Sequence, residues 1–464
     1  MQTNLFDFLI LHSFFLIGES LILLTMLHML YQRRTPTSII SWLLFIIVVP
    51  YISVFIYFLI GVRKQSNKKG MAFLQLKSRD GLSDTQVNVM DGILRFNGIP
   101  ELSKDNSFKF ISDSGTAYGY MMDEINKARK SISISTYVFK NDYVTKNILQ
   151  ALTLKAQEGL EIRLLIDSLG SHKIYFFQGL FKDLRQAGGK VTFFMPLLRL
   201  PYRNYINLRN HRKIYLFDEE VLLSGGMNLS AEYMAPTKTQ DQWNDILFRT
   251  QGEATYQYSQ VFEDDWAYAN TCPLREATLP IHKPYGDAYI QVVPSGPDLK
   301  GDALYETLIS AIHGAKERIW IVTPYFVPDE NIMAALKIAK HKGLDIKLIT
   351  PKKSNQILAD LSRSSYMEEL LEANIDIRLH KGNMLHAKAI LFDNSVSMMG
   401  SVNIDNRSLL LNYEIVSFVY SERIIIEIED WMRTLMVNAE TDIPDKSKIR
   451  HILENFMRIL APQL

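Results

Sequence analysis

One cysteine, Cys272, stands in 464 residues. It excludes an intramolecular disulfide and any cysteine-based metal cluster. No long basic block occurs, and the formal net charge is +1. A protein whose main work is gripping nucleic acid carries a stronger positive footprint, so no nucleic-acid partner is expected. Nothing between Asn67 and Gly98 identifies a site. Ile39 to Val62 holds no charged residue at all.

That apolar run is long enough, at about 1.5 Å per helical residue, to cross a hydrocarbon core of about 30 Å. An earlier run, Leu5 to Leu30, is also largely apolar but carries Asp7, His12, Glu19 and His28. The two are expected to form a transmembrane helical hairpin over residues 1–66, turning at Arg33, Arg34 and Pro36. Four basic residues, Arg63, Lys64, Lys68 and Lys69, follow the second run. Basic residues prefer the cytoplasmic side, which predicts a multi-pass membrane protein with its large domain in the cytoplasm.

Past residue 105 the chain repeats itself. Ala128-Arg-Lys-Ser-Ile-Ser-Ile-Ser-Thr136 parallels Ala315-Lys-Glu-Arg-Ile-Trp-Ile-Val-Thr323. Gly159-Leu-Glu-Ile-Arg-Leu-Leu-Ile166 parallels Gly343-Leu-Asp-Ile-Lys-Leu-Ile-Thr350. A helix ending at Gly and feeding a strand is an α/β signal. The ordered series predicts two similar α/β halves. They cover residues 105–270 and 286–464, joined by a proline-interrupted linker at 271–285 and preceded by a linker at 67–104.

Each half contains HxKxxxxD: His211, Lys213 and Asp218, then His386, Lys388 and Asp393. Each is followed by a glycine-containing turn and an asparagine, Asn228 or Asn403. Both segments read as strands, where positions i and i+2 share a face, so each His is expected beside its Lys. The chemistry suits attack on a phosphodiester without metal or cofactor. The lysines neutralise the phosphate and the asparagine amides hold its oxygens. One imidazole attacks phosphorus while the other moves protons. Asp245 and Glu414 are candidates to orient the imidazoles. Asp218 and Asp393 end their strands and either hold the turn or act directly. Ile174–Phe181 and Met195–Tyr202, rich in aromatic and apolar residues, are expected to form a membrane-facing rim. Trp320 is expected at a core edge, Tyr325 there or in the pocket, and 422–437 as a packing helix.

These motifs resemble the phospholipase D superfamily, and the fuller pattern resembles its bacterial cardiolipin synthase branch. It includes Arg33-Arg-Thr-Pro, Trp42, Pro50, Asn210-His-Arg-Lys-Ile, Thr323-Pro-Tyr-Phe-Val-Pro and Gly400-Ser-Val-Asn-Ile-Asp-Asn-Arg-Ser408. The resemblance implies two fused, pseudo-twofold β-sheet domains flanked by helices, with the site at their seam. It implies joining of two phosphatidylglycerol molecules with release of glycerol, at a bacterial plasma membrane. It carries His211 and His386 over as nucleophile and acid/base, with His211 preferred as nucleophile. Lys213, Lys388, Asn228 and Asn403 become phosphate-binding. The chain departs from the pattern at Asn141, at Leu229-Ser-Ala-Glu232 and at Asn244, positions that bear on donor and acceptor choice. Hydrolysis to phosphatidic acid, nuclease action and an inactive scaffold share the same motifs and remain alternatives.

Overall fold

The computed structural model describes residues 5–31, 36–61, 73–78, 89–198, 207–237, 239–279, 283–441, 454 and 458. Its centre is a fifteen-stranded sheet made of two runs with the same strand order. The first runs outward through Ser103–Ile111, Leu247–Gln251, Val221–Gly225, Ile214–Phe217, Ser131–Thr136, Glu161–Asp167 and Lys190–Phe194. The second runs through Ala288–Ser295, Glu414–Val419, Val396–Gly400, Ala389–Phe392, Arg318–Val322, Asp345–Pro351 and Asp376–His380, ending on the short Ala439–Glu440. The runs meet where Ser103–Ile111 pairs antiparallel with Ala288–Ser295, with Ser103 opposite Ile290.

Alternation in the strands explains the layers. In Ser131–Thr136, Ile132 and Ile134 enter one apolar core, beneath helices Ser114–Lys127 and Tyr143–Gln157. The second half builds a matching core with Ala303–Gly314, Glu330–His341 and Ile357–Glu372. A third core lies between the halves. It takes Phe108, Ile214 and Phe248 from one half, Ile290, Ala389 and Ile415 from the other, and helices Glu253–Asn270 and Glu422–Val437. The helix expected at 422–437 thus has those bounds. Trp320 is buried in this shared core, its indole N–H donating to Asp345 at 2.8 Å.

Two expectations change here. Residues 67–104 are more than a linker: Val89–Phe96 is a helix whose Met90 and Leu94 join the second half's core, and Ser103 already belongs to a strand. The transmembrane hairpin and multi-pass insertion are also corrected. Leu5–Tyr31 forms one long helix, α1, but the charge-free run breaks into α2 (Pro36–Val48) and α3 (Ile52–Ile60). Pro50 lacks an N–H and its ring opposes the preceding turn, and Tyr51 takes φ 67°. Thirteen residues reach only about 20 Å as a helix. Among the described residues one helix, over His12–Tyr31, is long and apolar enough to cross a membrane. Phe14, Ile17 and Leu24 on it are exposed. The two short helices pack back on it, with Met29, Trp42, Ile46 and Tyr57 in one cluster and His28 Nδ1 2.8 Å from the Tyr57 hydroxyl. Arg33, Arg34, Arg63, Lys64, Lys68 and Lys69 lie outside the described residues.

One buried ion pair ties the first half's sheet to the shared core. Arg163 meets Glu263 through two nitrogens, at 2.6 and 2.8 Å, and also donates to Ser133. Both side chains are 3% exposed. Glu263→Leu leaves a buried guanidinium unpaired and should cost about 3–5 kcal/mol, seen as a lower thermal midpoint. Arg163→Met combined with Glu263→Leu should recover most of the loss.

Candidate active site

The two HxK segments lie just before their strands, which begin at Ile214 and Ala389, rather than within them. Each is instead clipped to the opposite half. The His211 N–H donates to the Tyr413 carbonyl at 2.8 Å, and the Tyr413 N–H to that of Arg209 at 2.9 Å. The His386 N–H donates to the Asn244 carbonyl at 2.8 Å, and the Asn244 N–H to that of Met384 at 2.7 Å. Tyr413 and Asn244 each precede a carboxylate, so the clip delivers that carboxylate across the seam. Glu414 Oε2 lies 3.0 Å from His211 Nδ1, and Asp245 Oδ2 lies 2.7 Å from His386 Nδ1. Each histidine therefore takes its carboxylate from the other half.

The glycine-containing turns permit this approach. A Cβ on Gly226 would overlap the Asp245 carboxylate, and one on Gly400 would overlap the Ile415 carbonyl at φ 159°. Ser401 stands where the first half has Gly226, and its hydroxyl donates to Glu414.

Both imidazoles are buried, which disfavours their charged form. Burial is the leading cause that lowers the His211 pKa, opposed by Glu414. For His386, burial and then Lys388 push it down to about 3. Burial likewise lowers Lys213 to about 7 and Lys388 to about 8. Burial alone would raise the Asp245 carboxyl, but Lys388 and His386 together hold it below its ordinary value. His211 feels the charge of Lys388, and His386 that of Lys213, so the half-sites form one electrostatic unit.

Each lysine donates to the carbonyl of its own histidine, and Lys388 also touches the ring. Lys213 Nζ donates to the His211 carbonyl at 2.7 Å. Lys388 Nζ sits against the His386 ring itself, 2.8 Å from Nδ1 and 3.2 Å from Nε2. The Asn228 carbonyl oxygen accepts from the Val138 N–H at 3.0 Å, while its amide nitrogen is buried without a hydrogen-bond partner. The Tyr233 phenol is near enough to interact with Asn228 but makes no hydrogen bond of ordinary geometry there. Asn403 meets the Ser408 hydroxyl at 3.2 Å and leaves its other amide atom unpaired. Exchanging the amide O and N keeps the Ser408 bond and turns a donor toward the centre.

Aromatic rings wall the pair. Tyr137 meets the His211 ring edge-on, with centroids 4.9 Å apart, and Tyr325 faces His386 at 6.4 Å. Tyr233 and Trp243 approach His386 at 5.2 and 5.1 Å. Burial drives the Tyr137 hydroxyl up to about 12, so it keeps its proton. Sequence reasoning missed Tyr137, which directly follows Thr136 and stands one place before the position that matches Tyr325 in the duplicated frame. It also missed Arg212, Tyr233, Trp243 and Ser401.

Arg212 alternates away from the site into the core. There it bonds Asp265 at 2.7 Å, Asp298 at 2.8 Å and the Glu414 carbonyl at 3.1 Å. Asp264, Asp265 and Asp298 are close enough together to hold a metal. The Arg212 guanidinium already bridges two of them.

Asp218 and Asp393 are not brought to the histidines. Asp218 follows the far end of its strand, at φ 56°, and accepts from the N–H groups of Arg129, Lys130 and Ser131. Asp393, at φ 53°, does the same for Lys316, Glu317 and Arg318. Their geometry is that of turn clamps. In the expected rim, Phe176, Phe177 and Leu198 are exposed, whereas Ile174 and Phe181 are core. Leu200 and Tyr202 lie outside the described residues.

The family model for the cardiolipin synthase, phospholipase D-like domain matches residues 121–266 and 308–436, one segment in each half. A phospholipase D-nuclease N-terminal model matches residues 20–61. The chain belongs to the cardiolipin synthase family of the phospholipase D superfamily. It is 33% identical to a cardiolipin synthase of Clostridium perfringens strain SM101, over 93% of this chain and 95% of that one. It is 30% identical to the major cardiolipin synthase of Bacillus subtilis, over 98% and 99%. Among solved structures, the phosphatidylserine synthase of Haemophilus influenzae shares the fold. It has a TM-score of 0.60 at 15% identity, covering 81% of this chain and 98% of that one.

As turn clamps, Asp218 and Asp393 should matter for stability and not for turnover. Asp218→Ala strands three N–H donors and should cost about 1–3 kcal/mol in unfolding. The kcat of the protein that remains folded should be unchanged. A loss of kcat in a variant of unaltered thermal midpoint would show a direct role instead.

Proposed function

We propose that this cardiolipin synthase family member transfers a phosphatidyl group from one phosphatidylglycerol to another, through a phosphohistidine. The observation that carries the reading is the crossed centre: two buried histidines, each held at Nδ1 by the other half's carboxylate, with two lysines beside them.

Lys213, Lys388 and the amides of Asn228 and Asn403 bind the phosphodiester oxygens and offset their charge. The asymmetry of the lysines supports His211 as nucleophile. No protein hydrogen bond engages its Nε2 among the described residues, whereas the His386 Nε2 already meets the Lys388 ammonium. That ammonium lies against the ring close to both nitrogens, and its positive charge makes the His386 imidazole the weaker nucleophile.

With Nδ1–H directed at Glu414, His211 Nε2 bonds to phosphorus and the P–O bond to the leaving glycerol breaks. His386 gives that oxygen its proton. A second phosphatidylglycerol then loses its hydroxyl proton to His386, and its oxygen attacks phosphorus. The P–N bond breaks, cardiolipin leaves and His211 is neutral again. The phosphate anion, once bound, opposes the depression of the imidazole pKa values and allows His386 to hold its proton.

Lipid mass spectrometry on phosphatidylglycerol vesicles tests the reading. Cardiolipin with free glycerol is expected from the unaltered protein, and neither from His211→Ala or His386→Ala. Phosphatidic acid as the sole product would make the enzyme a hydrolase. Label from a phosphorus-labelled donor, quenched in alkaline denaturant, should remain on the peptide containing His211 and should be released by acid.

The lysines also set a pH dependence. Their pKa values are lowered, so they lose charge as pH rises. kcat/KM reports the free enzyme and should fall through about pH 7–8. Lys213→Arg keeps its charge through that range and should move the falling limb upward, at lower absolute activity.

A further inference from the structure

The two halves differ sharply at one matched place. In the register of the sheet, Phe194 pairs with the last residue of Glu161–Asp167, as His380 does with that of Asp345–Pro351. Tyr413 and Asn244 are matched by the bridges to Asn210 and Leu385. On one side, Tyr413 packs against Phe194 with centroids 5.0 Å apart and Tyr268 closes over Phe194 at 5.5 Å. On the other, the shorter Asn244 and His380 meet at 3.2 Å, and a cavity of about 330 Å³ stays open beside them.

Most of the residues that line the cavity carry uncharged polar side chains, and Asp113, Trp243, His380, Lys381 and Leu435 complete the wall. Ser112, Ser114, Gln242, Asn383, Thr434 and Asn438 line it along with Asn244, and Trp243 supplies one flat apolar face. Two of its groups are buried yet unsatisfied. Gln242 is 3% exposed; its Oε1 accepts from Thr239, but its Nε2 has no partner. Ser114 is 8% exposed and its hydroxyl has none. Leaving such groups dry costs about 1–3 kcal/mol each, and a side-chain rotation that turns them to the cavity lets a ligand rich in hydroxyls recover that cost. The one ammonium, Lys381, is paired with Glu440 at 2.9 Å, and Asp113 also lines the wall, so an anion finds no net positive charge.

We propose that this pocket binds a neutral polyol, either free or as the glycerol headgroup of a lipid. It lies behind Trp243 and Asn244, the residues that wall and clip His386, and it is distinct from the phosphate-binding centre. The inference is independent of which reaction the histidines perform.

Saturation-transfer NMR on the full chain in lipid-free detergent micelles tests it, with glycerol, sorbitol, glycerophosphoglycerol and inorganic phosphate as probes. Glycerol and sorbitol should bind. Gln242→Leu removes one donor and should weaken binding about tenfold. Asn244→Tyr fills the space as Tyr413 does and should abolish it, whereas His211→Ala should leave it intact. Sorbitol displaced by glycerophosphoglycerol identifies a lipid headgroup as the source; displacement by glycerol alone identifies a free polyol. Should Gln242→Leu fail to fold, Ser114→Ala on the other wall takes its place. The proposal is overturned if the polyols do not bind, if they bind the filled or donor-less variants as well as the unaltered protein, or if phosphate binds in their stead.

Discussion

Two pairs of backbone hydrogen bonds across the seam hold the centre together. His211 and Tyr413 form one, His386 and Asn244 the other, each backed by a return bond to the residue two before the histidine. Backbone clips of this kind fix the chain to within a few tenths of an ångström, because N–H to O geometry weakens steeply off its optimum. Glu414 and Asp245 follow the clipped residues directly, so their carboxylates arrive at the imidazoles by covalent consequence. The shared core that presses the halves together is thus a condition for the site and not merely for stability. Neither half contains a complete His–carboxylate pair.

Burying this much charge demands balance. Two lysines, a glutamate, an aspartate and two imidazoles sit in the same low-dielectric region, where an unpaired ion costs several kcal/mol. The arrangement keeps both imidazoles below their ordinary pKa and brings both lysines near neutrality. A centre poised in this way gains from an incoming anion. A phosphodiester restores the lysines' charge, lifts the imidazoles and replaces water, so substrate binding and proton readiness are one event.

Duplication and motif spacing were legible in the sequence because they are periodic and local. The α/β halves and the choice of the paired His, Lys and Asn residues as candidates follow from them. The crossing of Glu414 and Asp245 was not legible, because it depends on how two distant segments meet at the seam. The apolar run at Ile39–Val62 shows a different failure. Composition alone reads it as one span, yet Pro50 stood in the sequence with its missing donor, and the break into α2 and α3 is what that residue dictates. Asp218 and Asp393 belong to a conspicuous motif, but the four residues after each Lys carry them along a strand to its far end. Spacing recorded proximity in sequence where the strand enforces distance.

Near-symmetry also explains why the two histidines need not do the same work. Among the matched positions where the protein departs from its own twofold are Ser401 for Gly226, Ala387 for Arg212, and Tyr413 for Asn244. Each change acts on one histidine's surroundings. Ser401 adds a donor to Glu414 and so stiffens the carboxylate that orients His211. Arg212 locks the first motif to the core through Asp265 and Asp298, with no counterpart behind Ala387. Asn244 leaves His386 backed by a cavity where the His211 side is packed with aromatic rings. All three differences tie the His211 side more tightly to its surroundings and leave a cavity behind the His386 side. A nucleophile must meet phosphorus along one line and gains from rigidity, whereas a proton carrier serves a departing and then an entering alcohol and gains from room. The division of labour drawn from the lysine contacts is therefore the same one drawn from packing, although the two rest on different atoms.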